Sequence, residues 1–282
     1  MVASPYNGPG RLPTFLVVGA PKAGTTALAQ YLSAHPDVFV APEKEVHFFD
    51  VGFDRGVDWY RGRFAGATTE HAVGEASPTY MYRDVTLERI RSVVPDPKLI
   101  AVIRDPVERA YSHYWWEHTL TESRTFEEAA RAEMAGEVGG RRGRYLDAGR
   151  YLGRLQRMHE IFSPRSLLVV VSEELRADPA GVFREVCRFI GVEEYEPVNL
   201  GAVVNPSYRV RWPWLRRAMF RSRAWRRLPL GWADSLDRFN RVEAAYPPMD
   251  GRLRAELRAW FEEENRALAR WLDRDLSVWD RR

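Results

Sequence analysis

One segment near the N-terminus constrains the fold more than any other. Phe15–Leu28 has the pattern of a buried strand, a glycine-containing turn and the first turn of a helix. Gly19 and Gly24 have the G-x-x-x-x-G spacing of a phosphate-binding P-loop, but the pair Thr25–Thr26 stands where Lys-Ser/Thr is expected. The lysine lies inside the loop, at Lys22. The segment therefore predicts an anion site without the usual residues for a metal-bound triphosphate. The alternative is a tight βα turn with a surface lysine.

Strand and helix patterns alternate after this segment. The predicted strands are Thr14–Gly19, Val38–Val40, Leu99–Ile103 and Leu167–Val171. The predicted helices are Thr25–Ala34, Pro106–Glu117, Phe126–Ala135, Tyr151–Ile161, Ala180–Ile190 (ending at Gly191) and Asp250–Asp273. Continuous apolar strands between helices are typical of a parallel sheet. We predict an α/β fold: a three-layer, P-loop-like domain with a central parallel sheet flanked by helices and a C-terminal helical extension.

Length and composition limit the domain organisation. A chain of 282 residues with 45% hydrophobic content can form one large α/β domain. We predict a single domain over 14–282, preceded by a disordered or extended N-terminus over 1–13. The part 205–282 is expected to hold a basic, aromatic lid region and the C-terminal helix.

The basic, aromatic stretch 209–227 contains eight arginines with interleaved tryptophans. Three interpretations stay open for it. It could be a lid over a cofactor and an acceptor, or a segment that contacts an anionic membrane or a lipid-like substrate. It could also be a solvated helical face whose tryptophans pack on the core.

Charge, cysteine content and hydropathy exclude several classes of protein. A net charge of only +3 does not indicate a nucleic-acid partner. The single cysteine, Cys187, excludes an intrachain disulfide framework and lies in a helical pattern typical of a packed core thiol. The N-terminus lacks the pattern of a secretory signal, and no apolar run approaches the roughly 18 residues of a membrane helix. We therefore expect a soluble, cytoplasmic protein of unknown oligomeric state.

A second pair of anion-binding residues follows another strand. Arg104 stands at the carboxyl end of Leu99–Ile103, where open α/β sheets bind ligands, and Ser112 lies about two turns along the next helix. A guanidinium fork and a hydroxyl suit a second phosphate. The alternative is an Arg–Asp surface cap with a solvated serine. Together with the first loop, this pair predicts a ligand with phosphates at both ends of a nucleoside.

The stretch Pro42–Asp50 supplies candidate acid–base residues. If it is extended, Glu43, Glu45 and His47 share one face, and Phe48–Phe49 provide apolar walls of a cleft. A carboxylate beside aromatic rings has a raised pKa and suits a general base near neutral pH. The alternative is a solvated acidic strand with a satisfied histidine.

The motifs resemble those of the PAPS-dependent sulfotransferases, where PAPS is 3'-phosphoadenosine 5'-phosphosulfate. The segments are, in order, Pro-Lys-Ala-Gly-Thr-Thr, Lys-Glu-Val-His-Phe-Phe-Asp, Gly-Glu-Ala-Ser-Pro-Thr-Tyr and Ile-Arg-Asp-Pro-Val-Glu-Arg-Ala-Tyr-Ser. The resemblance is strongest to the branch that contains the heparan sulfate glucosaminyl sulfotransferase domains and their bacterial relatives. It covers residues 14–200 and continues faintly to the segment 272–279.

The resemblance implies a role for each motif. The loop for the 5'-phosphosulfate would be formed by Pro21, Lys22, Ala23, Gly24, Thr25 and Thr26. Lys22 would neutralise the leaving phosphate, and Arg104 with Ser112 would bind the 3'-phosphate. Glu45 would be the catalytic base for an in-line displacement, and His47 would orient the acceptor or the base. No metal is implied, because the lysine and backbone donors stabilise the developing charge.

The chain also departs from the heparan-modifying branch. Ala76 follows Gly74–Glu75 where a lysine is typical, and neither a disulfide nor a Lys-Gly-Arg loop is present. We therefore do not expect a polyanionic acceptor, and predict a hydroxyl, or less favourably an amine, of a glycan, glycolipid or secondary metabolite. Residues 205–211 are the candidate 3'-phosphate loop.

Two other functions stay open on the residues alone. A P-loop phosphotransferase would need the lysine after Gly24 and a strand-end aspartate for magnesium, and neither is evident. A non-catalytic protein could bind a membrane or nucleic acid through 209–227, although the net charge gives little support to that function.

Overall fold

The apolar strand segments pair into one parallel sheet. The computed structural model describes residues 10–118, 122–137, 144–197, 200–201, 208–212, 239–243 and 246–280. The five strands lie in the order β2-β3-β1-β4-β5 and every neighbouring pair is parallel. They are β1 (Phe15–Gly19), β2 (Val38–Val40), β3 (Ala72–Ala76), β4 (Lys98–Ile103) and β5 (Leu167–Val171). The central strand β1 is buried along its whole length, which explains its unbroken apolar sequence.

Nine α-helices are formed by the described residues. They are α1 (Thr25–Ser33), α2 (Val57–Arg61), α3 (Asp84–Val93), α4 (Pro106–His118), α5 (Phe126–Met134), α6 (Leu152–Ile161), α7 (Ser172–Ala177), α8 (Pro179–Ile190) and α9 (Gly251–Leu272). Local signals fix several ends: Thr125 and Glu128 form a capping box at α5, and Gly191 ends α8 with a φ of 81°. Within the described residues, no helix is long and apolar enough to cross a membrane.

The chain divides into two compact units. The first comprises Met1–Arg104, Tyr151–Val204 and Trp271–Arg282 and contains the parallel sheet. The second comprises Asp105–Arg150 and Asn205–Arg270. It contains α4, α5, most of α9 and a two-stranded antiparallel sheet of β6 (Tyr208–Val210) and β7 (Arg241–Glu243). One core in this unit includes Val107, Tyr114, Phe126, Leu257 and Phe261. The prediction of a single domain over 14–282 stays a prediction.

The structure confirms the α/β fold with a central parallel sheet, but the sequence patterns missed β3, β6, β7, α2, α3 and α7. Strand β3 contains Gly74 and Glu75 instead of an apolar run. Gly74 is needed because the ring of Phe15 lies where a Cβ atom would be. Residues 1–9 of the predicted N-terminal tail, 205–207 of the candidate phosphate loop and 213–227 of the basic stretch lie outside the described residues.

Candidate active site

The turn between β1 and α1 is the loop that the sequence predicts to bind an anion. Gly24 precedes the helix with φ 108° and ψ 10°, a conformation that side chains rarely adopt. The amide of Ala20 donates to the Val102 carbonyl at 2.6 Å, which joins the start of the loop to the neighbouring strand β4. The first N–H groups of α1 have no partner within the helix, and the helix dipole adds positive potential. The first turn carries Thr25 and Thr26 and no acidic residue.

Lys22 and Arg104 lie together at this edge of the sheet. Arg104 follows β4, and its Nη1 atom donates to the Lys22 carbonyl at 3.1 Å. The Arg104 carbonyl in turn accepts from the Tyr151 hydroxyl at 2.9 Å. The buried Nε atom of Arg104 has no hydrogen-bond partner among the residues that the structure describes. A buried donor without a partner is energetically costly, so this atom is an unsatisfied donor in the described part of the chain.

Ser112 lies on α4 in the second unit, where it is half-buried. Its predicted partnership with Arg104 in the first unit stays a prediction. Asp105 does cap a helix, since its Oδ1 accepts the amide of Val107 at 2.8 Å, but Asp105 is buried and is not part of a surface cap.

The candidate base is part of a chain of three ionisable groups. Glu45 Oε2 lies 3.1 Å from His47 Nε2, and His47 Nδ1 lies 3.0 Å from Asp50 Oδ2. The hydroxyl of Thr79 donates to the same Asp50 oxygen at 2.6 Å. The imidazole thus joins an inner carboxylate to the partly exposed carboxylate of Glu45.

The predicted extended conformation of Pro42–Asp50 is wrong. Glu45 and His47 have left-handed backbones, with φ of 64° and 52°, so their proximity does not come from strand alternation. Glu43 does not join them and pairs with Arg63, with Oε1 and Nη1 2.8 Å apart. Phe48 is fully buried and stacks on Tyr60 with ring centroids 4.4 Å apart. The aromatic pair that contains it therefore packs in the core and does not wall a cleft.

The expected raised pKa of Glu45 is also wrong in direction. Burial acts to raise it, but the hydrogen bond from His47 and the charges of Lys44 and His47 outweigh burial and lower the pKa of Glu45. The hydrogen bonds to Asp50 and Glu45 raise the pKa of His47 from 6.5 to about 10. Burial likewise acts to raise the pKa of Asp50, yet its bonds to His47 and Thr79 lower it. At neutral pH the three groups therefore form a carboxylate–imidazolium–carboxylate chain.

The high pKa of His47 predicts a pH-dependent contribution to stability. Because the folded-state pKa lies above 6.5, protonated His47 stabilises the fold fully below that pH, and the stabilisation is lost as pH rises towards 10. We expect the difference in unfolding free energy between the wild type and His47→Gln to shrink between these limits. Denaturant titrations at several pH values measure it. A difference already lost at pH 8, or an imidazole that titrates near 6.5 by NMR, would contradict the assignment.

Two contributing residues were missed from the sequence. Asp50 orients His47, and Thr79 holds Asp50. Asp50 lies three residues after His47, so the sequence contains a partial signal for that contact. The contact between Thr79 and Asp50 depends on the fold, and the sequence contains no signal for it. The described residues contain no group of three or more histidine, cysteine or acidic side chains that could hold a metal ion.

Comparisons with known proteins give a consistent result. A model of the sulfotransferase domain matches residues 12–200. The human bifunctional heparan sulfate N-deacetylase/N-sulfotransferase 3 is 31% identical over 93% of this chain, and the mouse heparan sulfate glucosamine 3-O-sulfotransferase 6 is 36% identical over 66%. The alignments span 30% and 55% of those two proteins, respectively. A sulfotransferase structure from Alicyclobacillus acidocaldarius is 28% identical with a TM-score of 0.72, covering 96% of this chain and 100% of that one.

Proposed function

We propose that this chain, which belongs to the sulfotransferase domain family, transfers a sulfonyl group from PAPS to a hydroxyl of a glycan acceptor. The observation that carries the proposal is the combination of residues in the first unit. They follow the carboxyl ends of three strands of one parallel sheet: Lys22 in the loop after β1, Arg104 after β4 and the Glu45–His47 pair after β2. The Nε atom of Arg104 has no partner within the described part of the chain. An anion site, a second cationic group and a base are what sulfonyl transfer from such a donor requires.

The residues of the loop fit a doubly anionic donor. Lys22, the α1 N-terminus and the hydroxyls of Thr25 and Thr26 suit the 5'-phosphosulfate, together with the rest of the loop Pro21–Thr26. Arg104 suits the 3'-phosphate, because its guanidinium retains a donor without a partner in the described part of the chain. The role of Ser112 in binding that phosphate stays a prediction. When bound, the donor supplies the sulfonyl group. Lys22 then stabilises the negative charge that develops on the phosphate side of the breaking bond.

Glu45 is proposed as the general base. Its lowered pKa keeps it ionised at neutral pH, so it can accept a proton from the acceptor hydroxyl. His47, held by Asp50, keeps the Glu45 carboxylate in one orientation through the 3.1 Å contact. The other carboxylate oxygen, Oε1, lies 3.5 Å from Lys44 Nζ. Glu45 is therefore charged, oriented and partly exposed to an incoming acceptor.

The proposed acceptor class follows from the relatives. The similar human and mouse proteins are named for heparan sulfate, one as an N-sulfotransferase and one as a 3-O-sulfotransferase. We place a glycan hydroxyl first, then a hydroxyl of a glycolipid or secondary metabolite, and an amine after these. The absence of the branch's lysine at Ala76 argues for an acceptor of lower charge than heparan sulfate. Membrane contact through 209–227, a cytoplasmic location and a metal-free reaction stay predictions.

Calorimetry with the donor's product tests the cofactor assignment. We expect adenosine 3',5'-bisphosphate to bind at least tenfold more tightly than AMP or ATP, with no magnesium added. The reason is that a charge-assisted hydrogen bond contributes about 1.5–3 kcal/mol, which corresponds to about 10- to 100-fold in affinity. In Arg104→Gln the preference over AMP should disappear while AMP affinity is kept. Equal affinities for the bisphosphate and AMP in the wild type would exclude the 3'-phosphate role of Arg104.

A further inference from the structure

A buried carboxylate lies under the loop that carries the candidate base. Glu75, on β3, is 1% exposed. Its Oε1 atom accepts from the hydroxyls of Tyr60 and Tyr80, both at 2.9 Å, and its Oε2 atom accepts from the Ser77 hydroxyl at 2.6 Å. Nothing in the proposed transfer reaction uses this group directly.

Two of the three hydroxyls also contact the backbone of the base loop, which is the stretch Pro42–Asp50 that carries Glu45 and His47. The amide of His47 donates to Ser77 Oγ at 3.1 Å. The amide of Phe48 donates to the Tyr80 oxygen at 2.9 Å, and that of Phe49 does so at 3.4 Å. Glu75 is therefore joined through two side chains to three consecutive amides, the first of which belongs to His47.

We propose that Glu75 is a positioning residue that acts through Ser77 and Tyr80 to fix the backbone of the loop and hence the Glu45–His47 pair. The proposal rests on the proposed function of Glu45 as the base. It assigns Glu75 no contact with substrate or donor.

The hydrogen-bond capacity of a hydroxyl explains why the carboxylate matters. Ser77 and Tyr80 each have one proton, and each gives it to Glu75. This direction leaves the hydroxyl oxygen free to accept the loop amides. Without the carboxylate, each proton would need another buried acceptor, and the oxygen would no longer be fixed towards the amides. Glu75 thus determines the orientation of both oxygens.

The conformation of the loop explains why it needs such support. Glu45 and His47 both have positive φ, which residues with a Cβ atom rarely adopt. A backbone of this kind persists only where the surrounding contacts hold it. His47 is itself one of these two positions, and Phe48 and Phe49 follow it in the chain. The acceptors of these three amides are therefore placed where the support is needed.

The site contains a matched control for the proposal. Tyr60 donates to the same Glu75 oxygen as Tyr80 and over the same distance of 2.9 Å, and both rings are fully buried. Only the Tyr80 oxygen accepts amides of the loop. Tyr60→Phe and Tyr80→Phe therefore remove equivalent bonds to Glu75 and differ in the link to the loop.

The test compares these two variants by two measurements. The first is the NMR titration of the His47 imidazole, which needs no acceptor and is assigned with His47→Gln. The second is kcat with PAPS and, as the acceptor probe, desulfated heparan sulfate whose uronate carboxyls have been reduced to hydroxyls. We expect Tyr80→Phe to move the His47 midpoint from about 10 towards 6.5 and to lower kcat by about 10- to 100-fold, as a displacement of about 1 Å does. Tyr60→Phe should keep the midpoint and most of kcat, and both should bind adenosine 3',5'-bisphosphate like the wild type.

Further variants keep the result interpretable. Ser77→Ala removes the acceptor of the His47 amide and should resemble Tyr80→Phe in both measurements. If Tyr80→Phe does not fold, Ser77→Ala provides the test in its place. Burial raises the pKa of Glu75, so a variant that removes both acceptor oxygens is needed. Glu75→Leu does so at a similar side-chain size and should also shift the midpoint. Equal behaviour of Tyr60→Phe and Tyr80→Phe in both measurements would overturn the proposal.

The failure of this proposal is distinguishable from failure of the proposed function. If the wild type shows no sulfonyl transfer, the proposed function fails, while the His47 titration still compares the variants. If Glu45→Gln is inactive but Tyr80→Phe and Ser77→Ala have the His47 midpoint and kcat of the wild type, the proposed function stands and the positioning role of Glu75 is rejected.

Discussion

Replacement of Glu45 by glutamine is expected to reduce kcat by about 10²- to 10⁴-fold, the contribution that a positioned general base makes. The amide has nearly the size of the carboxylate but cannot accept the proton of the acceptor hydroxyl at neutral pH. The affinity for adenosine 3',5'-bisphosphate should stay unchanged, because the donor loop and Arg104 belong to other segments of the sheet edge. Calorimetry and initial rates on the same preparation separate the two effects.

The loop offers a control of the same residue type. Glu43→Gln changes an identical side chain two positions earlier, where the carboxylate is exposed and pairs with Arg63. Glutamine keeps an oxygen that can accept from the largely buried Arg63 guanidinium, so this variant should keep both the fold and kcat. If Glu45→Gln retained the activity of Glu43→Gln, Glu45 could not be the base, and another acceptor of the proton would have to be found.

The fold was largely predictable because its strongest signals are local. Strands β2 and β5 and the cap of α8 at Gly191 follow from apolar runs and turn residues that need no distant partner. Strand β3 was missed because tertiary contacts determine its composition: Gly74 makes room for Phe15, and Glu75 is satisfied by three hydroxyls from other positions. A five-residue segment of this kind has no period by which a strand is detected.

For the candidate site, the sequence suggested Glu45 and His47 but not their geometry. It missed Asp50 and Thr79. Glu45 and His47 were paired for the wrong reason, since a left-handed backbone and not an extended strand brings them together. The direction of the Glu45 pKa was wrong because the sequence shows neighbouring aromatic residues but not the imidazolium that Asp50 stabilises. Hydrogen bonds between distant segments decide both properties, and a single sequence does not display them.

The displaced lysine explains how an anion loop can serve a donor other than a metal-bound triphosphate. In the usual motif the lysine follows the second glycine and works with a metal held by the next hydroxyl residue. Here Lys22 lies inside the turn, has φ of 70°, and its carbonyl accepts from Arg104. The two cationic residues thereby follow adjacent strands, which supports the proposal that they bind separate anionic groups of one donor.

Replacement of Lys22 by alanine is accordingly expected to damage both binding and rate. Loss of a charged donor should weaken adenosine 3',5'-bisphosphate binding by about 10- to 100-fold. Loss of charge stabilisation in the transition state should also lower kcat, by about 10²- to 10³-fold.

Lys98→Ala is the matched control for Lys22→Ala, since Lys98 lies at the opposite end of β4 and its Nζ contacts the Arg165 carbonyl at 3.4 Å. That variant should bind and turn over like the wild type. A Lys22→Ala protein with weakened binding but unchanged kcat would restrict the lysine to holding the donor. Unchanged binding and kcat would remove it from the site. The fall in kcat at saturating donor therefore measures how much Lys22 contributes only in the transition state, whereas the fall in affinity measures what it contributes to the bound state. The first property distinguishes a catalytic lysine from a binding one.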